Sequence, residues 1–280
     1  MRIESKSFGV SPALQPFVES YWFCQNDQEG EAWSSLQSCV PTGCIEMIFQ
    51  VGEKGGIGLI RDVWMPFPEA YVVGVKRDPV YWKLPAGGAY FGISLKPDGF
   101  LQLFNDPLVE ARYDRLVTFH DFFGTRLDPF ADSIRGAKNN HDRIAIVESF
   151  FAGLLRKNDN HHPYLIDALR QIRHSLGTGS IENISHQVFV GQRQLQRVFR
   201  EVVGISPKLY GRIVRFNKAY QFAKNHPETS LAQITVRFGY TDQSHFIREF
   251  REFTGASPSS FLTMYVPLEQ SPFAFACGCK

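Results

Sequence analysis

The stretch FREVVGISP, Phe199 to Pro207, returns as FREFTGASP, Phe250 to Pro258, 51 residues later with six of nine positions identical. Widening the comparison to Leu195–Tyr210 against Phe246–Phe261 gives seven identities in sixteen, where ordinary composition yields about one. Upstream, SIENISHQV (Ser180–Val188) aligns with SLAQITVRF (Ser230–Phe238) at a spacing of 50, one residue being inserted between the helices of the second copy. The repeated unit is a short helix, a turn, a longer helix and the start of the next one, which is the helix-turn-helix layout. The second helix of such a unit, about 10–12 Å across, fits a DNA major groove about 12 Å wide.

The repeated residues sort by role. Val198, Phe199 and Val202, with Phe250 and Phe253 in the second copy, are spaced to anchor each longer helix in its core. Gly204 and Gly255 stand where a left-handed residue ends a helix, and Ser-Pro starts the next. The positions that differ lie at the front of each longer helix, where a reader of bases would vary: Gln192, Arg193, Gln194, Gln196 and Arg197, then Asp242, Gln243, Ser244, His245 and Arg248. Arginine matches guanine and glutamine matches adenine through paired hydrogen bonds. Candidate base contacts are Arg193, Gln196, Arg197, Gln243, Ser244, His245 and Arg248; candidate phosphate contacts are Gln192, Lys208 and Thr241. Two alternatives stand beside them: i,i+4 ion pairs of Arg197 with Glu201 and Arg248 with Glu252, and inward packing of His245.

Between the copies, Pro207 to about Lys224 reads as one helix of roughly 27 Å, long enough to hold two recognition helices about one DNA turn apart once their own offsets are added. Leu209, Ile213, Phe216 and Tyr220 form its apolar stripe, and Arg212, Arg215 and Lys218 are phosphate candidates or plain solvated charge. From Pro163 on, helices are expected near 163–176, 180–188, 191–203, 207–224, 230–238, 242–253 and 258–265, with Ser180, Ser206, Ser230 and Ser257 as N-caps.

The first part of the chain differs. Cys44–Val51, Tyr71–Val75, Val80–Leu84 and Ala89–Lys96 are dense in β-branched and aromatic residues and are punctuated by Gly, Pro or Asp, so they read as strands of a sandwich or barrel. Short helices follow, ending in a longer one over His141–Lys157, whose stripe Ile144, Val147, Phe151 and Leu154, widened by Phe150 and Leu155, needs a partner in the core or in another subunit. Asn158–Pro163 reads as a linker. The expected fold class is α+β in two domains: a β-rich amino-terminal domain with flanking helices over 1–160, and an all-α domain over 161–266 of seven helices with two helix-turn-helix units joined by a long helix. A tail, 267–280, follows.

Composition fits this division. At 280 residues with 44% hydrophobic and 21% charged residues, two globular domains are expected. The net charge of +2 hides a split: residues 1–162 carry 16 Lys/Arg against 20 Asp/Glu, and 163–266 carry 13 against 7, about −4 and then +6, so the second half is the one suited to a polyanion. No apolar run of about 18 residues is present to cross a membrane, and the first residues lack the apolar core of a secretory signal, which points to the cytoplasm. Five cysteines, three early and two in the closing CGCK (Cys277, Cys279), read as reduced thiols.

With LQRVFREVVGISPKLY, RIVRFNKAYQFA and FGYTDQSHFIREFREFTGASPSSF in view, residues 163–265 resemble the DNA-binding region of AraC/XylS-family transcription regulators. The resemblance implies seven helices, double-stranded DNA as partner, and base contacts at Arg193, Gln196 and Arg197, then Gln243, Ser244, His245 and Arg248. Two departures stand out: Ser185 and Thr235 occupy positions where the family usually has alanine, and Phe189 stands where the second unit keeps Gly239, with Gly191 two residues on, so the first turn is expected to be remodelled. YWFCQND, VPTGCIEMIFQVGE, GISLKPDGFLQLFNDPLVE and HDFFGTRL look like the sensor-type amino-terminal region of one branch of the family. Kinship there implies a small effector and a homodimer. Trp22, Trp64, Tyr71, Trp82 and Tyr90 are the candidates for lining an effector pocket, and equally for a sheet core.

No HExxH, P-loop, nucleophile elbow or spaced CxxC pair occurs, so the sequence points to no enzyme, metal or cofactor. The competing reading is an enzyme or a metal or thiol module fused to the DNA reader.

Overall fold

A computed structural model of the chain describes residues 3–28, 30, 32–104, 116–155 and 162–260. Its amino-terminal part holds β1 (Glu4–Phe8), β2 (Val18–Gln25), β3 (Gln37–Cys39), β4 (Ile45–Gln50), β5 (Ile57–Ile60), β6 (Val63–Pro66), β7 (Ala70–Val73), β8 (Val80–Lys83), β9 (Ala89–Leu95) and β10 (Val117–Thr118). They form two antiparallel sheets, one of six strands in the order β1-β2-β9-β4-β7-β10 and one of four, β3-β8-β5-β6. The four expected strands are β4, β7, β8 and β9, each within two residues of its expected ends. The larger sheet is apolar on both faces because successive side chains of a strand point to opposite sides. Tyr21, Met47, Phe49, Phe91 and Ile93 belong to one core, and Trp22, Cys24, Ile48, Tyr71 and Tyr90 to a second, shared with Cys39 and Trp82 of the smaller sheet. Gly92 has to be glycine: a Cβ there would lie 2.0 Å from Cε2 of the Trp22 ring that covers it.

Helices α1 (Pro97–Phe104), α2 (Phe119–Phe123), α3 (Asp128–Gly136) and α4 (Asn140–Leu155) close the first face. Their contacts are largely phenylalanine on phenylalanine, for example Phe151 against Phe104 at 5.8 Å and Phe130 at 6.1 Å between ring centres. The expected stripe of α4 is inward: Val147 and Phe151 are fully buried and Ile144, Phe150, Leu154 and Leu155 partly so. It packs chiefly on α1 and α3.

The helical region holds α5 (Pro163–His174), α6 (Ile181–Gln187), α7 (Gln192–Val203), α8 (Pro207–Asn225), α9 (Leu231–Arg237) and α10 (Gln243–Thr254), and 258–260 begin a further helix. Ser180, Ser206, Ser230 and Ser257 each accept a hydrogen bond from the backbone N–H three residues on. A side-chain oxygen there satisfies one of the donors that every helix start leaves unpaired. Gly204 and Gly255 take the left-handed conformation at φ 84° and 76°.

Helix α8 differs from its single-stripe expectation. Ile213, Phe216 and Tyr220 are buried, but so are Tyr210, Val214, Asn217, Ala219 and Ala223, while Leu209 is half-buried. The second buried side comes from the sheet part: Gly43 lies against Tyr210, Ile213 and Val214, and the Asn217 amide donates to the Thr42 carbonyl at 2.8 Å. A second joint connects α1 to α5, where Arg173 donates to the buried Asp98 carboxylate at 2.9 Å and Arg170 stands 3.4 Å from it. The turn after α5 meets α8 backbone to backbone, since a Cβ on Gly177 would lie 1.9 Å from the Gly211 carbonyl oxygen. No described helix is long and apolar enough to cross a membrane. The residues 267–280 expected as a tail, with Cys277 and Cys279, and most of the linker at 158–163 lie outside the described residues.

Candidate nucleic-acid interface

Each expected unit has its two helices in place, α6 with α7 and α9 with α10. The turns between them match bond for bond. In the first, the N–H groups of Val188, Phe189 and Val190 donate to the carbonyls of Ile184, His186 and Ser185; in the second, those of Phe238, Gly239 and Tyr240 donate to Ile234, Val236 and Thr235. The remodelled first turn expected from Phe189 is therefore not found. Phe189 takes the left-handed conformation at φ 56°, beside 67° for Gly239, and its ring projects outward, 94% exposed. Ser185 and Thr235 are buried, each donating its hydroxyl to a carbonyl of its own helix.

Leu195, Val198, Phe199, Val202 and Val203 bury the inner face of α7, and Phe246, Phe250 and Phe253 that of α10. The opposite faces carry the expected readers. Gln192, Arg193 and Arg197 are exposed on α7, with Gln196 half-buried; Gln243, Ser244 and Arg248 are exposed on α10, preceded by exposed Thr241. Asp242 is the N-cap of α10, its carboxylate accepting from the His245 N–H at 2.7 Å, so it holds the helix rather than reading from it. The His245 ring is half-buried, edge-on to Tyr240 at 5.3 Å.

The two equivalent arginines differ. Arg197 makes the i,i+4 pair with Glu201, at 3.0 Å. Arg248 makes no such pair, because Glu252 is held by Arg212 at 2.5 Å. Arg212 and Arg215, expected as phosphate or solvated charges, are corrected by a residue the repeat did not flag. Glu249, 2% exposed, stands where the first unit has Val198. Arg212 bonds its carboxylate at 2.8 Å and Arg215 at 2.9 Å, while the two guanidinium groups lie over the rings of Phe253 and Tyr240. Burial next to this carboxylate raises the Tyr240 hydroxyl far above its ordinary pKa. Lys218 turns toward the sheet part, lining a cleft with Glu19, Lys96 and Arg173. Lys208 is exposed on the first turn of α8, at a cleft it shares with Arg77 and Asp78.

Four of the five pocket candidates meet. Trp22, Tyr71, Trp82 and Tyr90 line an apolar cavity between the two sheets, with Cys24, Cys39 and Lys76. Trp64 does not: it lies on the outermost strand β6, 41% exposed, with the Lys83 ammonium over its ring. A strand with a neighbour on one side only turns part of its residues to solvent, which composition does not reveal. At the cavity's edge the buried Glu46 accepts from the Trp22 indole at 3.0 Å and the Ser94 hydroxyl at 2.8 Å. Burial raises the Glu46 carboxyl, against the lowering pull of Lys76. Burial works to lower Lys76, yet Cys39 and Glu46 outweigh it and leave the ammonium raised. Burial also pushes the Cys24 thiol up to about 12 and Cys39 to about 11, so both are protonated at neutral pH and poor nucleophiles.

Comparison with known proteins agrees with this architecture. A family described as "Helix-turn-helix domain" matches residues 184–264, and a "Domain of unknown function (DUF6597)" matches 7–116. The chain is 23% identical over 151 residues to the Msm operon regulatory protein of Streptococcus mutans, covering 53% of this chain and 54% of that protein. It is 28% identical over 120 residues to the HTH-type transcriptional regulator ArgR of Pseudomonas aeruginosa, covering 39% and 36%. The chain thus spans about half or less of the length of these relatives. Among solved structures, ToxT from Vibrio cholerae aligns at 12% identity with a TM-score of 0.46, over 86% of this chain and 98% of that one. Residues 184–264 thus match a helix-turn-helix family, and these relatives of the chain are named as an operon regulatory protein and a transcriptional regulator.

Proposed function

We propose that the protein is a sequence-specific DNA-binding transcription regulator whose helices α7 and α10 read successive major grooves, and whose amino-terminal part senses a small effector. One observation carries the first half of this reading: the outward faces of α7 and α10 hold Arg193, Gln243, Ser244 and Arg248 without a side-chain partner among the described residues, whereas Arg212 and Arg215 nearby are consumed by an internal carboxylate. Polar groups left unpaired on the leading face of a groove-sized helix are what direct base readout requires. Gln196 and His245 flank these residues, and Arg197 can exchange its exposed partner Glu201 for a base or phosphate at small cost, since exposed pairs contribute little. Gln192, Lys208 and Thr241 are assigned to phosphates. The effector assignment rests on the aromatic cavity between the sheets, and a homodimer through the amino-terminal part remains part of the proposal.

The test is selection of bound fragments from a random DNA pool followed by footprinting. Two short motifs about one helical turn apart, each protected in the major groove, are expected. Recovery of fragments with no common sequence overturns the reading.

A further inference from the structure

We infer that the segment Lys76–Trp82 is a relay joining the cavity between the sheets to the second recognition helix, with Tyr81 as the residue that touches the reader. The inference rests on reading that cavity as the effector site.

Along this segment the side chains divide between two neighbours. Lys76, Val80 and Trp82 line the cavity. Tyr81, between Val80 and Trp82 on β8, points to the opposite face of the smaller sheet, as strand alternation demands. There it meets the end of α10: a Cβ on Gly255, the left-handed C-cap, would lie 2.9 Å from the Tyr81 hydroxyl. Arg77 and Asp78 of the same segment line a cleft with Lys208, Arg212 and Glu252. Arg212 is the residue that bonds both Glu249 and Glu252 of α10. One short run of chain therefore forms a wall of the cavity with one side and meets the end and the ion-pair clamp of α10 with the other.

Cavity size gives the relay a cause. The free interior is only about 40 Å³, room for about three waters. An organic effector is larger and presses on the walls as it enters. The six-stranded sheet is packed on both faces and cannot yield without disturbing the helices behind it. The four-stranded sheet is the thinner wall: its outer strand β6 is exposed along its length and β8 lies in its interior. Outward movement of Val80 and Trp82 carries Tyr81 against Gly255. The lining favours a compact aromatic or branched apolar molecule with one polar group within reach of Lys76.

The experiment is amide hydrogen exchange of the full chain with and without 4-fluorophenol, whose occupancy is followed separately by fluorine NMR. Bound probe is expected to change exchange at 76–82 and 250–256 together, by about fivefold or more at the second segment. The turn around Gly191, where an added Cβ meets nothing within 4 Å, is the internal control and should not respond. Tyr81→Phe, which removes only the hydroxyl, and Tyr81→Ala are expected to bind the probe as the wild type does and to lose the response at 250–256. Probe bound with 250–256 unchanged, or a response that survives both substitutions, overturns the relay and leaves the cavity reading standing. Failure of the probe to bind up to its solubility limit overturns the cavity reading and the relay with it.

Discussion

At the scale of single residues, Arg248 and Arg197 separate roles that their identical places in the repeat make look alike. Glu252 is held by Arg212, so in the proposed reading the Arg248 guanidinium would enter a groove without first breaking an ion pair with it. Arg248→Ala is expected to weaken specific binding by about 1–3 kcal/mol with helix content unchanged, measured by titration of the selected operator and by circular dichroism. Equal affinity of mutant and wild type removes the assignment. Lys208→Ala, acting on a phosphate, should lower the slope of log affinity against log salt by about one unit and leave sequence preference alone. Phe189 is the opposite case, a residue the first turn tolerates rather than needs. A left-handed non-glycine residue costs about 1–2 kcal/mol, and glycine returns part of that as unfolded-chain entropy. With its ring outside any packing, Phe189→Gly is expected to stabilise the chain by roughly 0.5–1 kcal/mol in urea denaturation, and a loss of stability shows that the ring has a contact on the folded protein.

At the scale of elements, the angle of α10 on α8 is fixed by a carboxylate shared between two arginines, while α7 meets its neighbours through apolar contacts alone at the matching position, Val198. Removing one member of a buried ion pair leaves the others uncompensated, at a cost of about 3–5 kcal/mol. Glu249→Ala is therefore expected to destabilise by about that amount in chemical denaturation, against a few tenths of a kcal/mol for the exposed Glu201→Ala. Near-equal losses for the two would refute the clamp. Glu249 also marks the limit of what the repeat discloses. Helix ends were legible because Ser-Pro and Gly are local signals acting within a turn of chain. Arg212 and Arg215 lie 37 and 34 residues from their partner, and nothing in the periodicity of α10 separates a buried glutamate from a solvated one. Trp64 failed for a related reason: strand composition shows that a tryptophan belongs to a sheet, but its place on the outermost strand depends on pairing order. Six strands went unread: β3, β5, β6 and β10 hold only two to four residues, too few for alternation to stand out unless the run is dense in β-branched and aromatic side chains as in β7 and β8, while β1 (ESKSF) and β2 (VESYWFCQ) mix such residues with polar ones.

At the scale of the whole molecule, the question is whether the two readers act as one rigid ruler. Helix α8 has 19 residues, about 28 Å at 1.5 Å each. It is gripped on one side by α7 and α10 and on the other by Gly43 and the Thr42–Asn217 hydrogen bond. A helix buried on two sides and crossed at its backbone by Gly177 has little freedom to bend or untwist. Suppose five base pairs are inserted between the two half-sites of the selected operator. The second motif then rotates by about half a turn, given roughly 10–10.5 base pairs per turn, and a rigid α8 cannot follow. Affinity is expected to fall by about a hundredfold or more, toward that of one unit alone. Inserting ten base pairs restores the rotation but moves the second groove about 34 Å further along the axis, beyond the reach of α10, so affinity should stay low. A flexible connection between the units predicts the reverse pattern, with recovery at ten. Gel-shift titration of the three operators therefore decides between a ruler and a tether, and recovery at ten base pairs is the result that a two-sided grip on α8 does not allow.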